Sequence, residues 1–326
     1  MIIKAKFGRL FSLFIGIFLC IWVFNFFNGT EALSIINKNL FDMHYLIIAH
    51  IPTLIFDSLS WFVLLGRDKI SFQWSLIITW ISQACVKFLP VGNISGEFVR
   101  IYLLVSQGLK TPVASSIVVT DLILATFSLF AISVFSLFFI VVDSYDLLYK
   151  ENNLFFLFFL FIFFLVFIFA FLLIRFRLVK LFFRRFKKYK NFLISKSIIK
   201  NFLKIDFLLY KMSFEKKKIL TSLFFKTIGW VCGAFEIYIF LLIIGIDANF
   251  LDLIILESLM SLIRSFVFFI PAGIGVQELS FILVGNYLGL PHSISLTIAV
   301  GRRIREVLVS IPAIFTWILI SKKNYV

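Results

Sequence analysis

Two stretches 181 residues apart break otherwise apolar runs in the same way. Phe88-Leu-Pro-Val-Gly-Asn-Ile-Ser-Gly-Glu97 is matched by Phe269-Ile-Pro-Ala-Gly-Ile-Gly-Val-Gln-Glu278. Laid without gaps, Phe88–Leu109 and Phe269–Leu290 share seven identities in 22 positions: the Phe, Pro, first Gly and Glu of each stretch, then Ile101/Ile282, Gly108/Gly289 and Leu109/Leu290. The shared residues are those that interrupt a helix, plus one carboxylate at a fixed distance from the interruption. Helix breakers at membrane depth are tolerated only where the freed backbone faces protein or a water-filled cavity. Interrupted apolar segments at matching positions in two halves of a chain mark the binding site of a transporter. The competing explanation is a pair of packed kinks.

The reading as membrane depth rests on composition. Apolar residues make up 61% of the chain and charged residues 15%, with mean hydropathy +1.06. Runs of roughly 20 apolar residues, enough for a transmembrane helix, recur along the whole length. The expected fold is an all-α polytopic integral membrane protein of two inverted-topology repeats, each with a broken or re-entrant Pro-Gly helical hairpin. Its parts are an N-terminal membrane repeat (1–174), a basic amphipathic cytoplasmic segment (175–218) and a C-terminal membrane repeat (219–326). Residues 10–27 lack a small-residue cleavage site and are expected to be a retained span rather than a signal peptide.

The charge of +15 is concentrated. Between Arg175 and Lys218 there are 15 Lys/Arg against Asp206 and Glu215. Lys196, Lys200, Lys204 and Lys211 form a stripe opposite Ile198, Phe202, Ile205 and Leu209, the pattern of a helix lying on anionic lipid. Tethering between spans favours lipid over nucleic acid, which is not expected to bind. The positive-inside rule places both termini and this segment in the cytoplasm, with the acidic loops at 143–151 and 247–252 outside. The second span (44–65) then corresponds to 225–246 with opposite topology.

No phosphate-cradling loop, paired metal-binding histidines or nucleophile elbow is present. No catalytic residue, cofactor or metal is expected, and the chain is not expected to be an enzyme. The informative residues are ionisable ones where lipid should be, each of which needs a partner or a cavity. Glu97 and Arg100 share a face of the short helix after the first break; Glu278 matches Glu97, whereas Arg100 is matched by Phe281. Arg302, Arg303, Arg305 and Glu306 fall near the middle of the last span, and Glu278 is expected to neutralise the excess charge of the Arg302/Arg305 face. A closed structural network and a head-group site are both open for this cluster. Asp57, Asp121, Glu236, Glu257 and Arg264 are expected to pair across helices or to sit near an interface, with Glu257 near the outer one. His50 beside Pro52 is expected at a kink, with its imidazole satisfied.

These residues resemble a family. Leu89-Pro-Val-Gly-Asn-Ile-Ser-Gly-Glu97-Phe-Val-Arg100 and Pro271-Ala-Gly-Ile-Gly-Val-Gln-Glu278 are similar to the flippase-like family typified by the membrane region of lysylphosphatidylglycerol synthase. Gly301-Arg-Arg-Ile-Arg-Glu-Val-Leu, following Gly289-Leu-Pro, resembles its hopanoid-associated branch. The first stretch departs from the pattern at Asn93 and Ser95. The resemblance implies a bacterial inner-membrane protein that moves or binds a lipid or isoprenoid-derived amphiphile. The aminoacyl-transferase domain of the synthases is absent from this sequence, which argues against lysyl transfer. The expected head-group site comprises Pro90, Gly92, Glu97, Arg100, Pro271, Gly273, Gly275, Glu278, Arg302, Arg305 and Glu306. Two alternatives stay open: an ion-coupled transporter of small solutes, and a scaffold holding lipid-synthesis enzymes. The oligomeric state is not readable from the sequence.

Overall fold

The computed structural model describes residues 2–66, 70–88, 95–143, scattered positions between 161 and 185, 196–268 and 270–323. Pro90 and Gly92, the loop at 144–151, most of 154–174 and much of 178–195 lie outside the described residues.

Every regular element among the described residues is helical. In chain order these are α1 (Ile2–Phe26), α2 (Gly29–Lys38), a 3-10 turn (Leu40–His44), α3 (Tyr45–Leu65), α4 (Phe72–Phe88), α5 (Ser95–Ser106) and α6 (Thr111–Asp143). Then follow α7 (Lys196–Met212), α8 (Lys216–Ile243), α9 (Phe250–Phe266), a 3-10 turn (Pro271–Gly273), α10 (Val276–Tyr287) and α11 (His292–Lys323). Among the described residues, four helices are long and apolar enough to cross a membrane, within 40–65, α6, α8 and α11. A fifth span results if α1 and α2, bent by 84°, count as one. Asn28 makes that bend in the left-handed region (φ 56), which Asn enters more readily than most side chains.

Helices α4 and α9 have 17 residues each, α5 and α10 have 12 each. At 1.5 Å per residue, α5 and α10 reach only about 18 Å of a hydrocarbon core about 30 Å thick. They are therefore the return pieces of interrupted segments. At α5, Gly96 lets the backbone settle on α4: a Cβ there would meet the Ser82 carbonyl oxygen at 2.7 Å. The Ser95 hydroxyl also donates to the Cys85 carbonyl (3.2 Å), tying the start of α5 to the end of α4.

Some helix boundaries on the two sides of the chain fall at one spacing. α5 and α10 start at 95 and 276 and end at 106 and 287; α6 and α11 start at 111 and 292, so each boundary is displaced by 181. Helices α3 and α8 pack side by side over their length and run antiparallel. His50 meets Glu236, Asp57 meets Lys226 and Ser60 meets Ser222, so numbers rise along one helix as they fall along the other. The pairing of α4 with α11, through Trp80 and Val309, is echoed by α6 on α9, where Ser133 and Ser136 reach Ser258.

Each side has its own apolar core. One is built from α3, α4, α5 and α6 around Trp61, Ile78, Ile81 and Leu104. The other gathers α8, α9, α10 and α11 around Leu241, Leu256, Met260 and Phe281, with Met43 and Leu137 joining it. Large apolar side chains such as Phe14, Phe138, Phe224 and Leu319 stay exposed on the outer faces. That is the inside-out surface a bundle presents to lipid. The seam between the two cores is where the charges lie.

Candidate functional site

A cavity of about 280 Å³ opens in that seam, walled by α3, α4, α8, α9 and α11, with Ala125 contributed by α6. Nine of its lining residues carry formal charge: Asp57, Lys87, Lys226, Glu236, Glu257, Arg264, Arg302, Arg305 and Glu306. A charge buried in a bundle is retained only when paired and hydrogen-bonded, and the pairing divides into two clusters.

The first cluster surrounds α3 and α6. Arg100 Nη1 donates to Asp121 Oδ2 at 2.6 Å and lies 3.6 Å from Glu97. Lys226 sits between Asp121 (3.3 Å) and Asp57 (3.4 Å). Asp57 also accepts from the Gln83 amide at 3.0 Å, and Asp121 from the Ser60 hydroxyl. The Arg100 guanidinium stands 5.5 Å from the Trp61 ring, a cation–π contact strengthened by exclusion of water. Two cations thus face three carboxylates.

The second cluster is organised by α11. Arg302 forms a two-pronged pair with Glu257, at 2.6 and 2.8 Å. Arg305 pairs with Glu236, whose other oxygen lies 3.0 Å from Nδ1 of His50. Lys87, the next-to-last residue of α4, pairs with Glu306. Arg303 donates through Nε to Glu278 (2.7 Å) and through Nη1 to Glu306 (3.1 Å). Arg264 hydrogen-bonds the Gln277 side chain at 2.8 Å. Among the described residues it is the cation of this site with no carboxylate within ion-pair distance. Five cations here face four carboxylates.

The second break is held by Arg303. Ala272 and Gly273 both have positive φ (55 and 60), and their carbonyls accept from Arg303 at 2.9 and 3.1 Å. The backbone N–H of Gly275 donates to Glu278 Oε2 at 2.7 Å, so this carboxylate caps the first turn of α10. Gly275 has φ 79, and a Cβ there would lie 2.6 Å from the Gly16 carbonyl oxygen; α1 presses directly on the break. Glu97 is likewise the third residue of α5, where it lies 3.6 Å from Arg100.

Of the residues expected at the site, Arg302, Arg305 and Glu306 line the cavity. Arg100 and Glu97 connect to it through Asp121 and Lys226. Pro271, Gly273, Gly275 and Glu278 form the wall behind Arg303. Pro90 and Gly92 lie outside the described residues. One expected pairing is corrected. Glu278 neutralises Arg303, not the Arg302/Arg305 face, since one residue of helix turns a side chain by about 100°. Glu257 pairs across helices with Arg302 and is buried there. The His50 imidazole is satisfied by Glu236, and the residue also lines the cavity.

Sequence reading passed over Lys87, near the end of an apolar run where a snorkelling interfacial side chain is the ordinary reading, and Lys226, which lies inside the apolar run of α8. Five side-chain atoms of the site have no hydrogen-bond partner among the described residues, two of them Oε2 of Glu97 and Nε2 of Gln277. Nε of Arg305 and Oγ1 of Thr53 belong to cavity-lining residues, and Nε of Arg100 lies in the first cluster. Such buried donors are costly unless a ligand or water meets them. Among the described residues no group of His, Cys, Asp and Glu side chains is placed to hold a metal ion.

Comparison with curated proteins and with solved structures returns no match. The family model of the lysylphosphatidylglycerol synthase TM region matches residues 9–313, from within α1 to within α11. The match is to the family as a whole and singles out no branch of it. It covers both broken segments and every residue of the two charge clusters, and it associates the chain with membrane proteins connected to lipid metabolism. The protein is a polytopic helical membrane protein belonging to the lysylphosphatidylglycerol synthase transmembrane-region family.

Proposed function

We propose that this chain moves a lipid or isoprenoid-derived amphiphile between leaflets of a bacterial inner membrane, without enzymatic chemistry of its own. The head group would enter the charged cavity while the acyl or prenyl part stays in lipid. The observation that carries the reading is a cavity of about 280 Å³ inside the bundle whose wall includes guanidinium groups with bonding capacity to spare, on Arg264 and Arg305. That volume suits a glycerophosphate-sized group and not a whole lipid. A network meant only to lock helices would fill its own centre.

The reading takes the halves as inverted repeats that rock about the seam. Three facts support this: the displacement of element boundaries by 181, the antiparallel α3–α8 pair, and the echo of α4–α11 in α6–α9. An operation relating equivalent helices that run antiparallel reverses direction across the membrane, as alternating access requires.

The test uses purified protein in liposomes carrying a trace of phosphatidylglycerol labelled with a fluorophore on one acyl chain. Dithionite added outside bleaches only outer-leaflet label. A protein-dependent loss of the protected fraction supports the proposal. Protection equal to that of protein-free vesicles, over a range of head groups, overturns it.

A further inference from the structure

We infer that the cavity binds an anionic phosphodiester head group together with one proton, and that the proton is carried by His50. The inference rests on the transport reading above and adds its ligand charge and its coupling ion.

The first observation is the charge balance. The two clusters contain two and five cations against three and four carboxylates, seven of each. With its imidazole neutral, the assembly is electrically closed before any ligand arrives. Adding a monoanion at this depth leaves a net negative charge out of water, which costs several kcal/mol. Adding the anion with a proton leaves none.

The second observation is a continuous path. Nδ1 of His50 lies 3.0 Å from one oxygen of Glu236, and the other oxygen holds Arg305. His50 and Arg305 are 7% and 6% exposed, both line the cavity, and Nε of Arg305 has no partner among the described residues. An anion that draws the Arg305 guanidinium toward itself removes a counter-charge from Glu236. A protonated His50 on the same carboxylate restores it. Anion and proton therefore favour each other's binding through one shared carboxylate, and the coupling is reciprocal.

The third observation concerns which group can respond. From α8, His50 faces Glu236 and, further along, Lys226. From α11 it faces Arg302, Arg305 and Glu306. The α4 and α9 walls bring Lys87, Glu257 and Arg264, and α6 brings Asp121 behind Lys226. Every carboxylate in that set already has a cation, the two lysines are held by carboxylates (Lys87 by Glu306, Lys226 by Asp57 and Asp121), and a guanidinium stays charged throughout the physiological range. Imidazole is the side chain whose charge ordinarily changes between pH 5 and 8. The ligand class follows from the free donors: planar guanidinium groups suit phosphate oxygens.

The test is calorimetric titration of the delipidated protein in an uncharged detergent, repeated in two buffers of different ionisation enthalpy. The probes are dioctanoyl phosphatidylglycerol, dioctanoylglycerol as its uncharged analogue, and dimethyl phosphate as the head-group anion without tails. The phosphatidylglycerol should bind with net proton uptake, and its affinity should fall about fivefold or more as pH rises from 6 to 8. In H50Q, where the amide can still bond Glu236, uptake should vanish and the pH dependence flatten to under twofold. H44Q and H292Q, at exposed histidines outside the site, should behave as the unmodified protein. Phosphatidylglycerol binding without proton uptake in the unmodified protein overturns the inference, whatever H50Q does, as does uptake retained in a folded H50Q. If phosphatidylglycerol and dioctanoylglycerol bind equally and without protons, lipid binding stands and the coupled anion site falls. If dimethyl phosphate alone binds, with a proton lost in H50Q, the coupled site stands and the lipid reading falls.

Discussion

Arg100 Nη1 and Asp121 Oδ2 are 2.6 Å apart, and 181 residues further along the same two positions are occupied by Phe281 and Arg302, whose guanidinium stands 5.7 Å from the Phe281 ring. The contact is kept while its chemistry is exchanged: an ion pair on one side, a cation–π contact on the other. The carboxylate of one side becomes the guanidinium of its counterpart. Of these four residues Arg302 lines the cavity, and Arg100 and Asp121 reach it through Lys226.

Removing Asp121 should therefore cost more than removing the pair. Asp121→Asn strands Arg100 and one side of Lys226 and should destabilise the protein by about 3 kcal/mol. Replacing both partners, Arg100→Met with Asp121→Leu, should recover most of that loss. Denaturant titration in detergent reads both; a double variant as unstable as the single one contradicts the account.

The corrected pairing can be checked by double-mutant cycles. Glu257→Gln and Arg302→Gln should show a coupling of about 2–3 kcal/mol, the upper range for contacting residues. Glu278→Gln with Arg302→Gln should show under about 0.5 kcal/mol, because Glu278 bonds Arg303. The reverse ranking would restore the pairing expected from sequence.

Gly275 and Gly245 have nearly equal φ, 79 and 76, but different surroundings. A Cβ at Gly245 has nothing within 4 Å, whereas at Gly275 it strikes α1. Gly245→Ala should cost about 1 kcal/mol from backbone strain alone. Gly275→Ala adds a backbone collision and should cost at least twice as much, with slower lipid transfer. Equal unfolding midpoints for the two variants would show that α1 yields freely.

Water in the cavity should be detectable in a cysteine-free background. Cysteines at Thr53 and Ser310, both lining positions, should react with small charged thiol reagents. A cysteine at Ser133, packed between α6 and α9, should not. Reactivity at Ser133 matching the other two would mean that the reagents sample an opened bundle.

Helix α7 leaves Ile198, Phe202 and Phe207 exposed beside Lys200 and Lys204, while its other side packs on α6 and its buried Asp206 holds Arg177 at 2.9 Å. Lys200→Gln with Lys204→Gln should reduce co-purifying anionic lipid, and raising salt should mimic the substitution in the unmodified protein. Retention that ignores both salt and substitution would assign α7 another role.

The elements were legible in the sequence where the determinants are local. Spans follow from apolar run length, the interruptions from Pro and Gly, and the 181-residue displacement of α5 and α10 from one shared pattern of breakers. The pairing of charges was not. His50 and Glu236 are 186 residues apart, and Glu257 and Arg302 are 45 apart. Nothing in either neighbourhood specifies the other, because helix packing chooses the partners. Arg303 shows the limit most clearly. It stands between two arginines that line the cavity, yet one residue of rotation sends it to the break instead. Lys87 illustrates a second limit, since a lysine near a helix end reads the same whether it meets headgroups or Glu306.

The polar seam between the two cores has a mechanical consequence. Oily surfaces glide past one another by fractions of an ångström, since each small shift merely trades one weak contact for a similar one. Charge pairs that cross the seam, such as Lys87 on Glu306 and Lys226 on Asp121, tolerate no such creep: stretched by an ångström they are broken, and the next acceptor along a helix lies about one turn, 5.4 Å, away. Any shift of one core against the other must therefore let go of several bonds together. Positions part-way through such a shift would be stripped of support, so the seam resists drift as a detent does and a bearing does not.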